Sequence, residues 1–389
     1  MGFLNGRVTF VRYRVGGVRP LPFSPEILKE IERHAFGRHG AAETSDGVSF
    51  GWSGGDHVLD LGFDPAKNLL NDALHLAIRI DADRIPGPLL RAYSQMELEA
   101  LAAQNPSGTP TRAQRQEAKE RARLRAEAEA ADGRFRRMNH TPVLWDGLAN
   151  VLYAGTTSAK ALERLQQLFR ETFDRPLEPL TAGSLALGTE GTDFGAPDAL
   201  AEASISLLGG EDAELSTVAW AANSPNMLDH LGNEFLVWLW HRLQNESDTI
   251  RLGDASEVAV MMARTLSLDC PRGENGRDCL TDDSPTRLPE AFRALQSGKL
   301  PRKVGLVLLR QGAQYELTLQ AETLAVSGGV LPPPEHDGLS ESERKAARID
   351  SLRHLSETID LLFDAYCRRR GSKSWPTEVS RIRRWLSAA

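Results

Sequence analysis

The sequence predicts an α+β protein with elongated mixed sheets, helices and one projecting charged helical arm. Three observations carry that expectation. Residues 7–15 and 74–81 alternate apolar and polar side chains as strands do, and residues 25–36 between them place apolar side chains at helical spacing. The stretch 111–131 is helix-forming yet polar on almost every side. Two further alternating runs, 304–310 and 314–320, flank Gly312 and are followed by a long helix beginning after Ser340.

Each element has its own local cause. Ser24 and Pro25 supply an N-cap and a first-turn proline for the helix 25–36. A glycine-rich stretch around Phe50-Gly51-Trp52 precedes the second strand. Residues 89–104 read as a helix, 105–110 as a turn cluster with two prolines, and 111–131 as one helix of Ala, Glu, Arg and Gln whose only large apolar side chain is Leu124. No core could be built on such a surface, so the segment is read as an arm. Val143 to Ala154 reads as a pair of short strands, and Ser158 caps an amphipathic helix with Leu162, Leu165, Leu168, Phe169 and Phe173 on one side. Residues 182–230 show no firm pattern, and 185–233 reads as an insertion. Residues 234–242, with Trp238 and Trp240, are the most apolar in the chain and are expected to be buried. Residues 269–285 read as a polar loop, and 289–296 as a short helix. The helix after Ser340 carries Ile349, Leu352, Leu355, Ile359, Leu362 and Phe363, and a last helix carries Val379, Ile382 and Trp385. The expected organisation is 1–85 as an N-terminal α+β part, 86–140 as the arm, 141–330 as the remaining α+β region, and 331–389 as C-terminal helices with a basic tail.

The chain has 389 residues, enough for a sizeable core, and a net charge of −7. It has no apolar run long enough for a membrane span and no basic-then-apolar opening, and its three cysteines are sparse. A cytoplasmic protein is expected. A negative net charge speaks against nucleic acid only on average, because phosphate responds to the local field.

A search for chemistry finds no constellation for an enzyme. Phosphate-loop, nucleophile-elbow and zinc-protease patterns are absent. Cys270 and Cys279 are separated by eight residues and lack the second ligand pair that a structural zinc site requires. Glu335-His336-Asp337 follows three prolines and reads as a solvated linker. Glu117-Ala118-Lys119 resembles the tail of a nuclease motif but sits in a polar helix rather than on a core strand. No cofactor, metal or catalytic residue is therefore expected.

The basic clusters say more. Arg368-Arg369-Arg370, Lys373, Arg381, Arg383 and Arg384 stand against the single Glu378, with Tyr366, Trp375 and Trp385 among them. Lys299, Arg302 and Lys303 precede a strand. Such side chains bind phosphate without reading bases. The competing reading is a helix end whose cations favour the dipole. Lys299, Arg302, Lys303, Arg368, Arg369, Arg370, Arg383 and Arg384 are the expected DNA contacts.

Several segments, in order, resemble the RdgC family of bacterial DNA-binding proteins. They are Val11-Arg12-Tyr13-Arg14, Phe50-Gly51-Trp52, Leu76 to Leu90 with Ile85-Pro86-Gly87-Pro88, the charged arm, Trp145-Asp146, Ser158-Ala159-Lys160-Ala161, residues 176–180, residues 234–240 and residues 295–306. The resemblance covers most of the chain and rests on colinearity, since no single motif is diagnostic. It implies a ring-shaped homodimer around duplex DNA that binds without sequence specificity, restrains RecA-promoted recombination and is associated with the nucleoid. It also implies that Phe135, near the end of the arm, packs into the partner subunit. Departures are the insertion at 185–233 and the absence of a residue-by-residue match at 269–285. The alternative function is a protein-interaction module that recruits a partner without touching DNA, which the net charge favours.

Overall fold

The computed structural model describes residues 2–18, 22–38, 47–106, 108–188, 197–201, 203, 218–220, 226–271, 276–333 and 338–387. Glu335-His336-Asp337 and most of the expected insertion lie outside them. In chain order the elements are β1 (Val8–Val15), α1 (Glu26–Arg33), β2 (Val48–Ser53), α2 (Pro65–Asn68), β3 (Leu69–Leu70), β4 (Ala73–Asp83), α3 (Gly87–Ala102), α4 (Arg112–Ala131), β5 (Arg136–Asp146), β6 (Val151–Ala154), α5 (Ala159–Phe173), β7 (Leu177–Pro179), α6 (Ala182–Ala186), α7 (Pro197–Leu200), α8 (His230–Asn245), β8 (Thr249–Arg251), β9 (Glu257–Asp269), β10 (Asp278–Asp282), α9 (Pro289–Gln296), β11 (Leu300–Arg310), β12 (Ala313–Gln320), β13 (Val326–Val330), α10 (Glu341–Arg370) and α11 (Trp375–Ser387). The fold is mixed α+β, built on antiparallel pairing. No helix among the described residues is long and apolar enough to cross a membrane. The chain forms two compact units, one of Met1–Ser24, Pro65–His75 and Pro142–Ala389, the other of Pro25–Asp64 and Leu76–Thr141.

In the larger unit the strands run β10-β9-β11-β12-β13-β1-β6-β5. The first strand pairs with the last, Val8 opposite Gly329, and on its other side with β6, Val11 opposite Ala154. Gln311 and Gly312 both have positive φ, the conformation a tight two-residue hairpin needs between β11 and β12. Between β9 and β11 the register slips where Arg264 adopts a positive φ, and Gly305 faces that bulge so closely that a Cβ there would overlap the Ala263 carbonyl. Helix α8 is buried from His230 to His241, and its aromatic side chains meet those of α10, with Phe235 and Phe363 5.4 Å apart edge to face. Trp238 and Trp240 are core residues, as expected.

The residues 269–285, expected as a polar loop, contain strand β10. It pairs with β9, Cys279 opposite Ser267. The strand escapes a hydrophobic reading because it lies at a sheet edge, where polar side chains are the rule. Cys270 lies just past the end of β9, three residues beyond the partner of Cys279, so the two thiols do not share a rung.

Two buried arginines join β strands to α10. Arg12 of β1 makes two bonds to Asp360, 2.7 and 2.6 Å, and one to Ser356. Arg310 of β11 bonds Asp254, Glu357, Thr358 and Ser256. Beside it the Tyr315 hydroxyl lies 2.7 Å from His354 Nδ1, and Gln311 Oε1 lies 3.1 Å from Nε2. Burial pushes the Tyr315 hydroxyl up to about 12. Burial, with the charge of Arg310, pushes His354 below its ordinary 6.5. Below pH 6.5 the unfolded chain therefore takes up a proton that the native state refuses, and stability falls with pH until the lower folded pKa is passed. His354→Gln is expected to flatten the pH 5–7 stability profile, by at most about 1.4 kcal/mol per pH unit. Urea midpoints across that range test this, and parallel profiles for the two proteins would contradict it.

The smaller unit pairs β2 with β4, Phe50 opposite Ile80. Gly51 is required there, because a Cβ would lie 2.7 Å from the Phe36 backbone. Helices α3 and α4 form an antiparallel hairpin, which corrects the reading of 111–131 as lacking a packed side. Ala118, Ala122, Ala126 and Ala130 recur every four residues and are buried, whereas Leu124 is 59% exposed. Alanine registers weakly as hydrophobic, yet a stripe of it allows close helix approach, and each buried methyl-sized group is worth about 0.8 kcal/mol. That exceeds what solvent-exposed pairs such as Arg121–Glu117 and Arg123–Glu127 add, since water screens them and both side chains must be ordered. Tyr93 completes the contact, donating to Glu129 at 2.7 Å under the Arg125 guanidinium. Thr111 and Gln114 form a capping box.

Candidate nucleic-acid interface

The turn from α9 into β11 positions the first basic cluster. Gly298 has φ +89°, and the Lys299 amide donates to the Ala294 carbonyl, closing the helix end and reversing the chain. Leu300 and Pro301 then turn inward, Arg302 is half-buried and Lys303 is exposed. Lys299 donates to Asp278 at 2.6 Å. Arg302 reaches Glu322 at 2.8 Å and Asp269 at 3.3 Å, with its guanidinium 4.6 Å from the centre of the Trp220 ring. Asp269 also receives two bonds from Arg277, and chiefly for that reason its carboxyl lies below the usual range. Lys303 has no acidic partner among the described residues.

The second cluster divides in the same way. At the end of α10, Arg368 pairs with Asp364 at 2.6 Å, Arg369 with Glu378 at 2.6 Å and Arg370 with Glu234 at 3.3 Å. These three carboxylates are 1–3% exposed. The arginines thus neutralise buried acids, a role that the spacing of the cluster did not disclose. Helix α11 buries Val379 and Ile382 and leaves Arg381, Arg383 and Arg384 exposed. Lys373, in the turn before it, is exposed as well. Tyr366 and Trp375, expected among the cations, are core residues. Trp385 is half-buried against Phe292, 5.0 Å between centroids.

The two clusters meet through α9 and α11. Gln296 donates to the Leu386 carbonyl at 2.8 Å, three residues before Lys299 and two after Arg384. A second link runs through the start of α8, where Asn233 donates to Pro301 and Glu322 while the adjacent Glu234 holds Arg370. Of the eight expected contacts, Lys299, Arg302, Arg368, Arg369 and Arg370 are engaged with carboxylates; Lys303 and Arg384 are exposed without an acidic partner among the described residues, and Arg383 is exposed. Phe135 lies just before β5 in the smaller unit, half-buried, its carbonyl accepting from the Arg84 amide at 3.1 Å. The flanking Arg134 and Arg136 pair with Glu129 and Asp83.

Neither a protein-family model nor a curated protein matches the chain.

Proposed function

We propose that the chain is a duplex-DNA-binding protein that grips phosphates without reading sequence and acts as a homodimer. The observation that carries the reading is the set of exposed cations in the larger unit. Lys303, Lys373, Arg381 and Arg384 have no acidic partner among the described residues, and the Gln296–Leu386 contact brings the ends of α9 and α11 together. The sequence resemblance extends the proposal to a ring of two copies, joined through Phe135, that encloses DNA in the nucleoid and restrains RecA-promoted exchange. A second reading, a protein-recruiting module, draws on the net charge of −7 and on the five expected contacts already held by carboxylates.

Binding to two unrelated duplexes, followed by anisotropy over a salt series with solution mass measured alongside, separates the two. A dimer that binds both duplexes alike, with affinity falling steeply in salt, is expected. Lys303→Glu combined with Arg384→Glu should weaken both equally and lower the log–log salt slope by about 0.9 per lost contact, with the unfolding temperature unchanged. Arg369→Gln should instead lower the unfolding temperature, because it leaves Glu378 buried without its cation. Failure to bind either duplex at about 50 mM salt would overturn the DNA reading in favour of the recruiting module.

A further inference from the structure

We infer that His241, Glu246 and Glu378 form a binding site for one divalent first-row transition ion at the C-terminal end of α8. One imidazole nitrogen of His241 and one carboxylate oxygen from each glutamate lie within 4.8 Å of one another. The three residues come from the last turn of α8, the residue that caps it and the first turns of α11. His241 and Glu378 are 4% and 1% exposed, whereas Glu246 is exposed and opens a path for an ion.

Several features besides proximity suit the site to a cation. The Nδ1 of His241 is buried without a hydrogen-bond partner, an arrangement that native proteins largely avoid. The carbonyls at the end of α8 present the negative pole of the helix. Both carboxylates are steadied from behind, Glu378 Oε2 by Arg369 at 2.6 Å and Glu246 Oε2 by Arg242 at 3.1 Å. Outer hydrogen bonds of this kind orient ligating carboxylates in metal sites, and here they leave the second oxygen of each free for an ion.

One imidazole with two carboxylates suits zinc, manganese or ferrous iron, and not the all-oxygen shells of calcium or the thiolate shells of cuprous copper. With bonds of about 2.1 Å, the ligand atoms of a tetrahedral ion stand about 3.5 Å apart, so the three side chains would draw together slightly. Three protein ligands leave a fourth position for water. The ion would fasten α11, with its exposed Arg381, Arg383 and Arg384, to the end of α8. That consequence holds whether or not those arginines meet DNA.

Metal-free full-length protein titrated with Zn2+ by calorimetry, and with Co2+ followed by absorption, tests the site. One ion per chain is expected, with visible Co2+ bands and without the near-ultraviolet thiolate band that Cys270 or Cys279 would add. His241→Gln and Glu246→Gln should each weaken binding by about 100-fold or more, beyond the loss caused by removing an outer partner. Zn2+ should raise the unfolding temperature of the unaltered protein and of neither variant. Glu246 is exposed, so its variant keeps the fold and the test remains decisive. Equal Zn2+ binding by both variants, a thiolate band, or no binding by the folded unaltered protein below millimolar Zn2+ would overturn the inference.

Discussion

Replacing Arg12 by methionine is expected to destabilise the larger unit by about 3 kcal/mol. Arg12 is 4% exposed and gives two hydrogen bonds to Asp360, whose side chain is only 18% exposed. Desolvation of the guanidinium is the largest influence on it, and the attraction of Asp360 more than compensates, raising its pKa. Methionine fills much of the same volume but leaves Asp360 and the Ser356 hydroxyl without their donor, in a place that water reaches poorly. Removing Asp360 as well, in Arg12→Met with Asp360→Leu, should restore most of the loss, since a buried pair replaced as a whole by apolar side chains is often neutral. Urea unfolding followed by tryptophan fluorescence and far-ultraviolet dichroism measures both. A loss below about 1 kcal/mol, typical of surface pairs, would show that the contact is effectively solvated. Arg310 makes a useful contrast. Its partners Asp254 and Glu357 are 35% and 54% exposed, so they would be rehydrated after Arg310→Met and the cost should be smaller.

Gly232→Ala should be comparably damaging, at about 3 kcal/mol, the upper end for overpacking. A Cβ at this position of α8 would overlap the Ala321 carbonyl and lie 3.1 Å from the Ala182 Cβ. The obstacle is backbone, so no rotamer change relieves it, and α8 would have to move off the end of β12. Helix propensity favours alanine over glycine by roughly 1 kcal/mol, which only partly offsets the clash. Gly87→Ala, with open space around its Cβ position, serves as the control and should stay within about 0.5 kcal/mol of the parent. Thermal unfolding of the two variants checks the pair. Equal midpoints would mean that α8 can lift from the sheet at no cost.

Much of the fold was legible because its signals are local. The apolar stripe from Ile349 to Phe363 after Ser340 gave α10, the Gln311-Gly312 turn gave the β11–β12 hairpin, and the apolar stripe after Ser158 gave α5. What escaped depends on neighbours. Strand β9 was unread because the bulge at Arg264 breaks its alternation, and β10 because an edge strand can be polar. The packed side of α4 was missed because alanine carries little hydrophobic signal until a second helix lies on it. The site followed the same rule. Runs of arginine were visible, but whether each faced a carboxylate depended on Asp364, Glu378 and Glu234, and the last lies more than a hundred residues away in sequence. The gathering of His241, Glu246 and Glu378 has no signature in spacing at all.

The pairing of β1 bears on how a nascent chain is made. β6 can join β1 once Ala154 has been synthesised, and β7 can cover Tyr13 to Val15 soon after, but the Val8–Phe10 stretch waits for Val326 in β13. At about 5–20 residues per second, that interval lasts roughly 10–30 s. Throughout it the ribosome carries a chain whose first strand still offers Val8 and Phe10 to any passing strand, the exposure that invites misassociation. Completion of the larger unit is therefore tied to the arrival of its last third, and chaperone demand should be concentrated in that window.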